Sequence, residues 1–295
     1  MNYLYYPGCS LRSSGRAYEE SLLPVMEAAG VDLQELPDWN CCGATSYMSV
    51  DERAAVQLAL RNLALAEKSR DDGGPVNLVA PCAACYLVLQ KAQHRIADYP
   101  DYAAVAKQDL ARVDLTYEGR VKVRHPLDVL VNDVGLDRIR RLVQHPLRDL
   151  KVACYYGCQL VRPYAEFDDR DDPKTMDLLM EAVGATVVDW PLKTRCCGGM
   201  LPGTIREVGV RLNELLVEEA ARRGATVLAT ACPLCQFNLD TQQKRRPEGY
   251  KPVPPVFFTQ LVGLAFGIPR RRLGLHRQMV AFEHDFAGST GGSRG

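Results

Sequence analysis

No stretch of this sequence is apolar for the roughly 20 residues that a membrane-spanning helix needs. The most apolar late run, residues 256–268, is interrupted by Thr259 and Gln260, so a soluble chain is expected. The amino terminus has no basic segment leading into an apolar core and a small-residue cleavage site, which predicts a cytoplasmic location, with any membrane association supplied by partner subunits. Net charge is missing as well: 36 basic side chains balance 36 acidic ones, leaving no electrostatic footprint for nucleic acid or an anionic membrane. Neither Gly-x-Gly-x-x-Gly nor a phosphate-binding Gly-x-x-x-x-Gly-Lys occurs, so flavin and nicotinamide are expected on another polypeptide. The cubane ferredoxin run, Cys-x-x-Cys-x-x-Cys-x-x-x-Cys, is also absent, which assigns the electron supply to a partner. His94, His125, His145, His276 and His284 show no ligand spacing and read as satisfied or exposed side chains.

What the chain has is cysteine, eleven residues of it. In an intracellular chain of this size that abundance points to metal ligation or redox chemistry rather than to a disulfide scaffold. The cysteines sit in a repeat. Tyr5-Tyr6-Pro7-Gly8-Cys9 is echoed by Tyr155-Tyr156-Gly157-Cys158, and Val25-Met26-Glu27-Ala28-Ala29-Gly30 by Leu179-Met180-Glu181-Ala182-Val183-Gly184. Cys41-Cys42-Gly43 and Cys196-Cys197-Gly198 follow, and each copy closes on Cys-x-x-Cys, Cys82 with Cys85 and Cys232 with Cys235.

Secondary structure repeats too. Leu22, Val25, Met26 and Ala29 share a helical face, as do Met176, Leu179, Met180 and Val183, with Pro173 suited to a first turn and Pro24 expected to delay or kink its helix. Ser49 with Glu52, and Thr204 with Glu207, read as capping boxes. Residues 77–80 and 226–229 read as short buried strands. The expected fold is α/β: two pseudo-repeated Rossmann-like halves with small, largely parallel sheets whose loops carry the cysteines. The divisions expected are a first cysteine-rich half at 1–95, a helical connection at 96–149, a second half at 150–287 and a flexible tail at 288–295.

Each half offers five thiols, where a tetrahedral zinc site or an ordinary cubane cluster uses four. Adjacent cysteines pair poorly in a disulfide but can reach neighbouring irons of one cluster where a glycine lets the backbone turn. Clusters in both halves, zinc in one half, zinc in both, and buried core thiols are the readings open to such a set. Cys154 stands where the first half has Tyr5 and reads as a packed thiol.

The pattern Cys-x31-Cys-Cys-x39-Cys-x-x-Cys followed by Cys-x37-Cys-Cys-x34-Cys-x-x-Cys resembles the duplicated CCG domain of the B-type subunit of heterodisulfide reductase. That resemblance implies two noncubane [4Fe-4S] clusters facing each other across the place where a small disulfide substrate is split, one sulfur going to each cluster. One would be held by Cys9, Cys41, Cys42, Cys82 and Cys85, the other by Cys158, Cys196, Cys197, Cys232 and Cys235, with Cys42 and Cys197 as the catalytic pair. The long first-half interval after the double cysteine would be taken up by Asp71-Asp72-Gly73-Gly74-Pro75. The implied partners are a ferredoxin-like iron-sulfur protein, the C-type subunit of such complexes, and a flavin-containing subunit. The alternative is a non-catalytic electron-transfer or quinone-docking subunit of a succinate or fumarate enzyme.

Around these positions, Arg12 and Arg162 are expected to bind an anionic thiol, to offset cluster charge or to be solvated. Tyr6 and Tyr156 are expected either to donate near the clusters or to pack. Arg270-Arg271-Arg272 reads as a solvated helix end or a docking patch.

Overall fold

The computed structural model describes residues 1–44, 46–70, 73–243 and 252–283. Asp71, Asp72, His284 and the 288–295 tail lie outside the described residues. The first half runs β1 (Asn2–Tyr5), α1 (Gly8–Leu11), α2 (Arg16–Ala28), β2 (Asp32–Glu35), α3 (Ser46–Val50), α4 (Glu52–Lys68), β3 (Val76–Val79), α5 (Ala83–Asp98), α6 (Pro100–Ala111), β4 (Val121–Arg124), α7 (Pro126–Asp128), a π-helical segment (Val129–Gly135) and α8 (Leu136–Leu142). The second runs β5 (Lys151–Tyr155), α9 (Thr175–Ala182), β6 (Thr186–Val187), α10 (Leu201–Thr204), α11 (Arg206–Arg222), β7 (Val227–Thr230), α12 (Pro233–Gln243), β8 (Pro255–Phe257) and α13 (Phe258–Ala265). Two four-stranded sheets result, ordered β2-β1-β3-β4 and β6-β5-β7-β8, and every strand pairing in them is parallel.

The segment 96–149 is therefore not a purely helical connection. It carries β4, which pairs with β3 as β8 pairs with β7, and so completes the first sheet. Val121-Lys-Val-Arg124 is too short and too mixed in polarity to announce a strand; only the unpaired edge of β3 makes it one.

The repeated helix tails behave as their sequences predict. Leu22, Val25, Met26 and Ala29, and Met176, Leu179, Met180 and Val183, are all buried. Both helices end on a left-handed glycine, Gly30 at φ +74° and Gly184 at φ +87°. The following amides close back on the helix: Val31 N–H donates to Met26 O at 2.8 Å and Ala185 N–H to Met180 O at 3.0 Å, the Schellman pattern that satisfies otherwise orphaned carbonyls. Pro24 lies inside α2 without delaying its start.

The expected capping boxes do not form. Asp51, not Ser49, caps α4, its carboxylate accepting from Ala54 N, and Thr204 ends α10, donating to Met200 O at 3.3 Å. A turn of helix precedes each long helix and takes up the expected cap. Asp51→Ala is accordingly expected to cost about 1 kcal/mol, read as a lowered urea midpoint at unchanged slope.

The halves exchange helices across their boundary. α2 packs on α13 while α9 packs on α7 and α8, so each half packs a helix against the helices that follow its neighbour's last strand. At the first of these junctions Ser21 Oγ and Thr259 Oγ1 are 2.6 Å apart and Tyr18 stacks on Phe257 at 4.4 Å. Parallel sheets need both faces covered, and this exchange makes one hydrophobic core common to both halves.

Candidate metal centre

Parallel strands deliver their carboxyl ends to one edge of a sheet, where loops can gather side chains from distant parts of the sequence. All ten repeated cysteines lie there. Cys9 follows β1, Cys41 and Cys42 follow β2, and Cys82 and Cys85 open α5 after β3; Cys158, Cys196 with Cys197, and Cys232 with Cys235 follow β5, β6 and β7 in the same way. None is in a disulfide. Cys42, Cys82, Cys85, Cys197, Cys232 and Cys235 are buried, Cys158 is half-buried, and Cys9, Cys41 and Cys196 are exposed.

Within each half the second cysteine of the double pair meets the last one. Cys42 Sγ lies 3.2 Å from Cys85 Sγ and Cys197 Sγ 3.5 Å from Cys235 Sγ. Hydrogen bonds from Cys41 and Cys85 hold the Cys42 thiol well below the usual thiol range, and contact with Cys42 and Cys82 pushes Cys85 up. In the second half Cys196 is the acidified thiol, brought to about 2 by Cys158 and Cys197. Thiolates are what metal ions take. Among the described residues no three Cys, His, Asp or Glu side chains converge on the position of a single ion; the thiols stand in pairs around a wider space.

Glycines open that space. Gly8 at φ +68° and Gly157 at φ +69° turn the chain into the opening cysteines. A Cβ on Gly8 would stand 3.0 Å from Cys85 Sγ, and one on Gly157 3.1 Å from Cys235 Sγ. Gly157→Ala is expected to cost about 1–2 kcal/mol in backbone strain alone and to push the Cys235 thiol aside. Thermal melting and the iron retained after anaerobic reconstitution would register the two effects separately.

Across the boundary between halves Cys232 is the first influence holding the Cys82 thiol well below the usual thiol range, and Cys82 in turn pushes Cys232 up. The Tyr18 hydroxyl, fully buried and pushed up by burial and by the charge of these two thiols, has no hydrogen-bond partner.

The register of the sheets settles which tyrosines attend the thiols. Tyr5 pairs with Val79 and Cys154 with Ala229, and Val79 and Ala229 stand equally far before Cys82 and Cys232. Tyr6 therefore matches Tyr155, not Tyr156. Tyr6 O–H donates to Asn40 O at 2.8 Å and Tyr155 O–H to Arg195 O at 2.7 Å, each holding the residue before a double cysteine. Burial pushes both phenols well up, and the cysteines around them add to it. Tyr156 instead donates to Asp177 Oδ2 at 2.6 Å. The register bears out Cys154 at the place of Tyr5 and corrects only the pairing of Tyr6 with Tyr156, because Pro7 fills the place of Tyr156.

Arg12 is held by Glu19 and Glu35, and Arg162 by Asp171 at 2.9 Å and Thr194 Oγ1 at 3.0 Å, so each already has partners in its own half. Cys154 is buried in the core, and burial pushes its thiol up. His94 stacks on Tyr164 at 4.0 Å. His125 is buried and brought to about 4 by desolvation, which leaves its ring neutral. Arg270 donates to Phe282 O at 2.6 Å within the arginine run.

Asparagines missed by motif reading fasten the double-cysteine loops. Asn62 takes the Asn40 N–H at 2.9 Å and donates to Asn40 O at 3.0 Å. Asn213 donates to Cys197 O at 2.8 Å, and Asn238 to Gly199 O at 2.9 Å with Cys197 Sγ 3.4 Å away. For Asn62 and Asn213 the available signal was an asparagine on the apolar face of the long helix after each Cys-Cys-Gly; Asn238 stands on α12, past the last Cys-x-x-Cys.

A cavity of ≈350 Å³ is lined by all five second-half cysteines, with Ala83 of the first half in its wall. Five sulfur donors around one cavity, the glycine-bounded space beside Cys85 and Cys235, and the buried, partnerless Tyr18 hydroxyl all fit a polynuclear iron-sulfur group with its own sulfide acceptors.

Comparison with known proteins agrees with the repeat. The CCG cysteine-rich domain matches residues 3–90 and again 152–240. The 8-methylmenaquinol:fumarate reductase membrane anchor subunit of Wolinella succinogenes is 30% identical over 94% of this chain and 96% of its own. A protein of Archaeoglobus profundus, described as like the B-type subunit of heterodisulfide reductase, is 29% identical, covering 93% and 94%. The B-type subunit of the ferredoxin:CoB-CoM heterodisulfide reductase of Methanosarcina mazei is 27% identical, covering 92% of each. Among solved structures, a hypothetical protein from Helicobacter pylori superposes with a TM-score of 0.74 at 14% identity over 96% of this chain, which spans about half (52%) of that one; this likeness concerns the fold alone. With the domain matched in both halves and the cysteine pattern intact in each, the chain belongs to the cysteine-rich CCG-domain family that includes the B-type subunits of heterodisulfide reductase.

Proposed function

We propose that this chain is the iron-sulfur subunit of an oxidoreductase complex, with one noncubane [4Fe-4S] cluster on Cys9, Cys41, Cys42, Cys82 and Cys85. A second is assigned to Cys158, Cys196, Cys197, Cys232 and Cys235, and the two serve two-electron disulfide or thiol chemistry. The observation that carries this reading is the five-thiol set at the strand ends of each half, the second set lining one cavity whose wall includes Ala83, the neighbour of Cys82 in the first. Bound there, the clusters supply electrons singly, and together the pair of electrons that a disulfide takes up with two protons to become two thiols. The chain's own residues shape the place for it. Tyr6, Tyr155 and Asn213 hold the double-cysteine loops, the six buried thiols keep water from the junction, and the exposed Cys9, Cys41 and Cys196 leave an edge that a small thiol can approach.

The chain has no dinucleotide or cubane ferredoxin motif, so a ferredoxin-like C-type subunit and a flavin-containing subunit are the partners proposed. Among the described residues no helix is long and apolar enough to cross a membrane. The similarity to the membrane anchor subunit of a fumarate reductase favours a second reading, an electron-transfer subunit that docks a quinone-linked enzyme.

Iron, acid-labile sulfide and zinc content of anaerobically purified protein, with EPR after mild oxidation in the presence of thiol, tests both. Iron and sulfide for two clusters and a thiol-sensitive signal support the disulfide reading. Clusters indifferent to thiol but reduced by a menaquinol support the second. Zinc in one half would remove the two-cluster mechanism, and absence of iron after reconstitution would overturn the whole assignment.

A further inference from the structure

The second half closes the outer edge of its last strand with its own side chains, and the first half does not. Leu228 N–H donates to Pro254 O at 3.0 Å, so alternate residues of the strand face β7, and Val253, Pro255 and Phe257 turn their main-chain groups outward. Gln243 clamps Val253, taking its N–H at 2.8 Å and donating to its carbonyl at 2.9 Å. Pro255 has no N–H to offer, and its carbonyl accepts from Gln236 at 3.4 Å and Gln278 at 3.3 Å. Phe257 N–H donates to Gln260 Oε1 at 2.9 Å. The segment that supplies Gln278 is itself anchored beside the strand: Met279 N–H and Val280 N–H donate to the Asp240 carboxylate at 2.9 and 2.8 Å.

In the first half the matching positions stand open. Leu78 pairs with Val123 as Leu228 pairs with Pro255, so Val121 and Val123 match Val253 and Pro255. Gln90 and Gln93 stand as far past Cys85 as Asp240 and Gln243 stand past Cys235. Val76 N–H donates to Arg120 O at 3.0 Å and Ala80 N–H to Arg124 O at 2.9 Å, which turns Val121 and Val123 outward. Gln93 donates to the Val121 carbonyl at 2.7 Å, but its amide is shared with the Tyr117 hydroxyl at 2.8 Å. Val123 keeps both its N–H and its C=O, and neither has a hydrogen-bond partner among the described residues. Gln90, at the place of Asp240, is 5% exposed, and its Oε1 is buried without a partner. Gln90 and all of β4 line one cavity of ≈430 Å³. Besides His94, the charged groups on its wall are the carboxylates of Asp128, Asp133 and Glu166 against the cations of Lys122 and Arg124, an excess of negative charge.

We propose that this cavity is a docking site for a peptide segment of a partner protein, one that carries a basic residue and lies along the outer edge of β4. Addition to an open strand edge is read mainly through main-chain hydrogen bonds, which Val123 and Gln90 supply, and the surplus carboxylate suits a basic side chain. Residues 278–280 fill the matching place of the second half in this way. The site is separate from the cysteines and stands whether or not the cluster assignment does.

The test uses the full chain and, as probe, an acetylated and amidated peptide with the sequence of residues 277–282, which includes the basic Arg277. Saturable binding that slows exchange of the Val123 N–H, followed by NMR, is expected. Val123→Pro removes an N–H that the ladder to β3 does not use, as Pro255 does in the second half. It should weaken binding roughly tenfold, the scale of one buried hydrogen bond. The proposal is overturned by no saturable binding at millimolar peptide, by undiminished binding in Val123→Pro, or by binding that leaves the Val123 amide unprotected, as displacement of the chain's own 278–280 segment would. Should the variant fail to fold, methylating the probe at the amides of Met279 and Val280 decides: lost affinity supports the proposal and unchanged affinity overturns it.

Discussion

Replacing Cys42 and Cys197 together by serine is expected to abolish thiol-disulfide turnover, with a loss of at least about a hundredfold, since even outer-sphere changes at metal sites cost 10–100-fold. Each of these thiols touches the last cysteine of its own set and is buried, so serine removes a soft thiolate donor from the centre of the set rather than from its edge. Iron per chain should fall in the double variant and by an intermediate amount in each single one, with circular dichroism unchanged. A double-serine protein that keeps full iron and full turnover would remove Cys42 and Cys197 from any catalytic role.

Lys193→Met should give the largest loss of stability. Lys193 Nζ lies 2.8 Å from Asp177 Oδ1, with side-chain exposures of 5% and 9%, and also donates to Pro173 O at 3.2 Å. Removing one partner of a buried pair leaves the other charge uncompensated, typically at about 3–5 kcal/mol, or on the order of 10 °C in a chain of this size. The same residue bears on the site. Its backbone carbonyl accepts from Tyr156 N at 3.0 Å and Gly157 N at 3.1 Å, the turn that presents Cys158. Second-half iron should therefore fall with stability while first-half iron persists. Asp177→Asn added to Lys193→Met should recover part of the melting temperature, because the stranded charge is gone. A single variant melting within a degree of wild type would show that the pair is not a stabilising anchor.

The first half answers the same need differently. Tyr5 O–H donates to Glu19 Oε1 at 2.9 Å, and Arg12 pairs with Glu19 at 3.1 Å. Following Cys9 closely, Arg12 was open to a substrate contact, to offsetting cluster charge or to plain solvation; spacing along the chain does not reveal a carboxylate that α2 brings back over it.

Local chemistry was legible at once. Five cysteines repeated in order, with glycines at their turns and two helices ending in the same way, are statements about neighbours in sequence, and the sheets, the strand-end placement of the thiols and the family follow from them. Long-range partners were not legible. Strand β4 exists because β3 offers an open edge. Tyr155 rather than Tyr156 attends the thiols because sheet register, not the doubled tyrosine, aligns the copies. Ser21 meets Thr259, and Tyr18 stacks on Phe257, because α2 crosses to pack on the other half. The sequence by itself determined which side chains could do metal chemistry; only the tertiary structure decided which of them meet, since that depends on how two copies bury their exposed faces against each other, a free energy summed over the whole core rather than written at any one position.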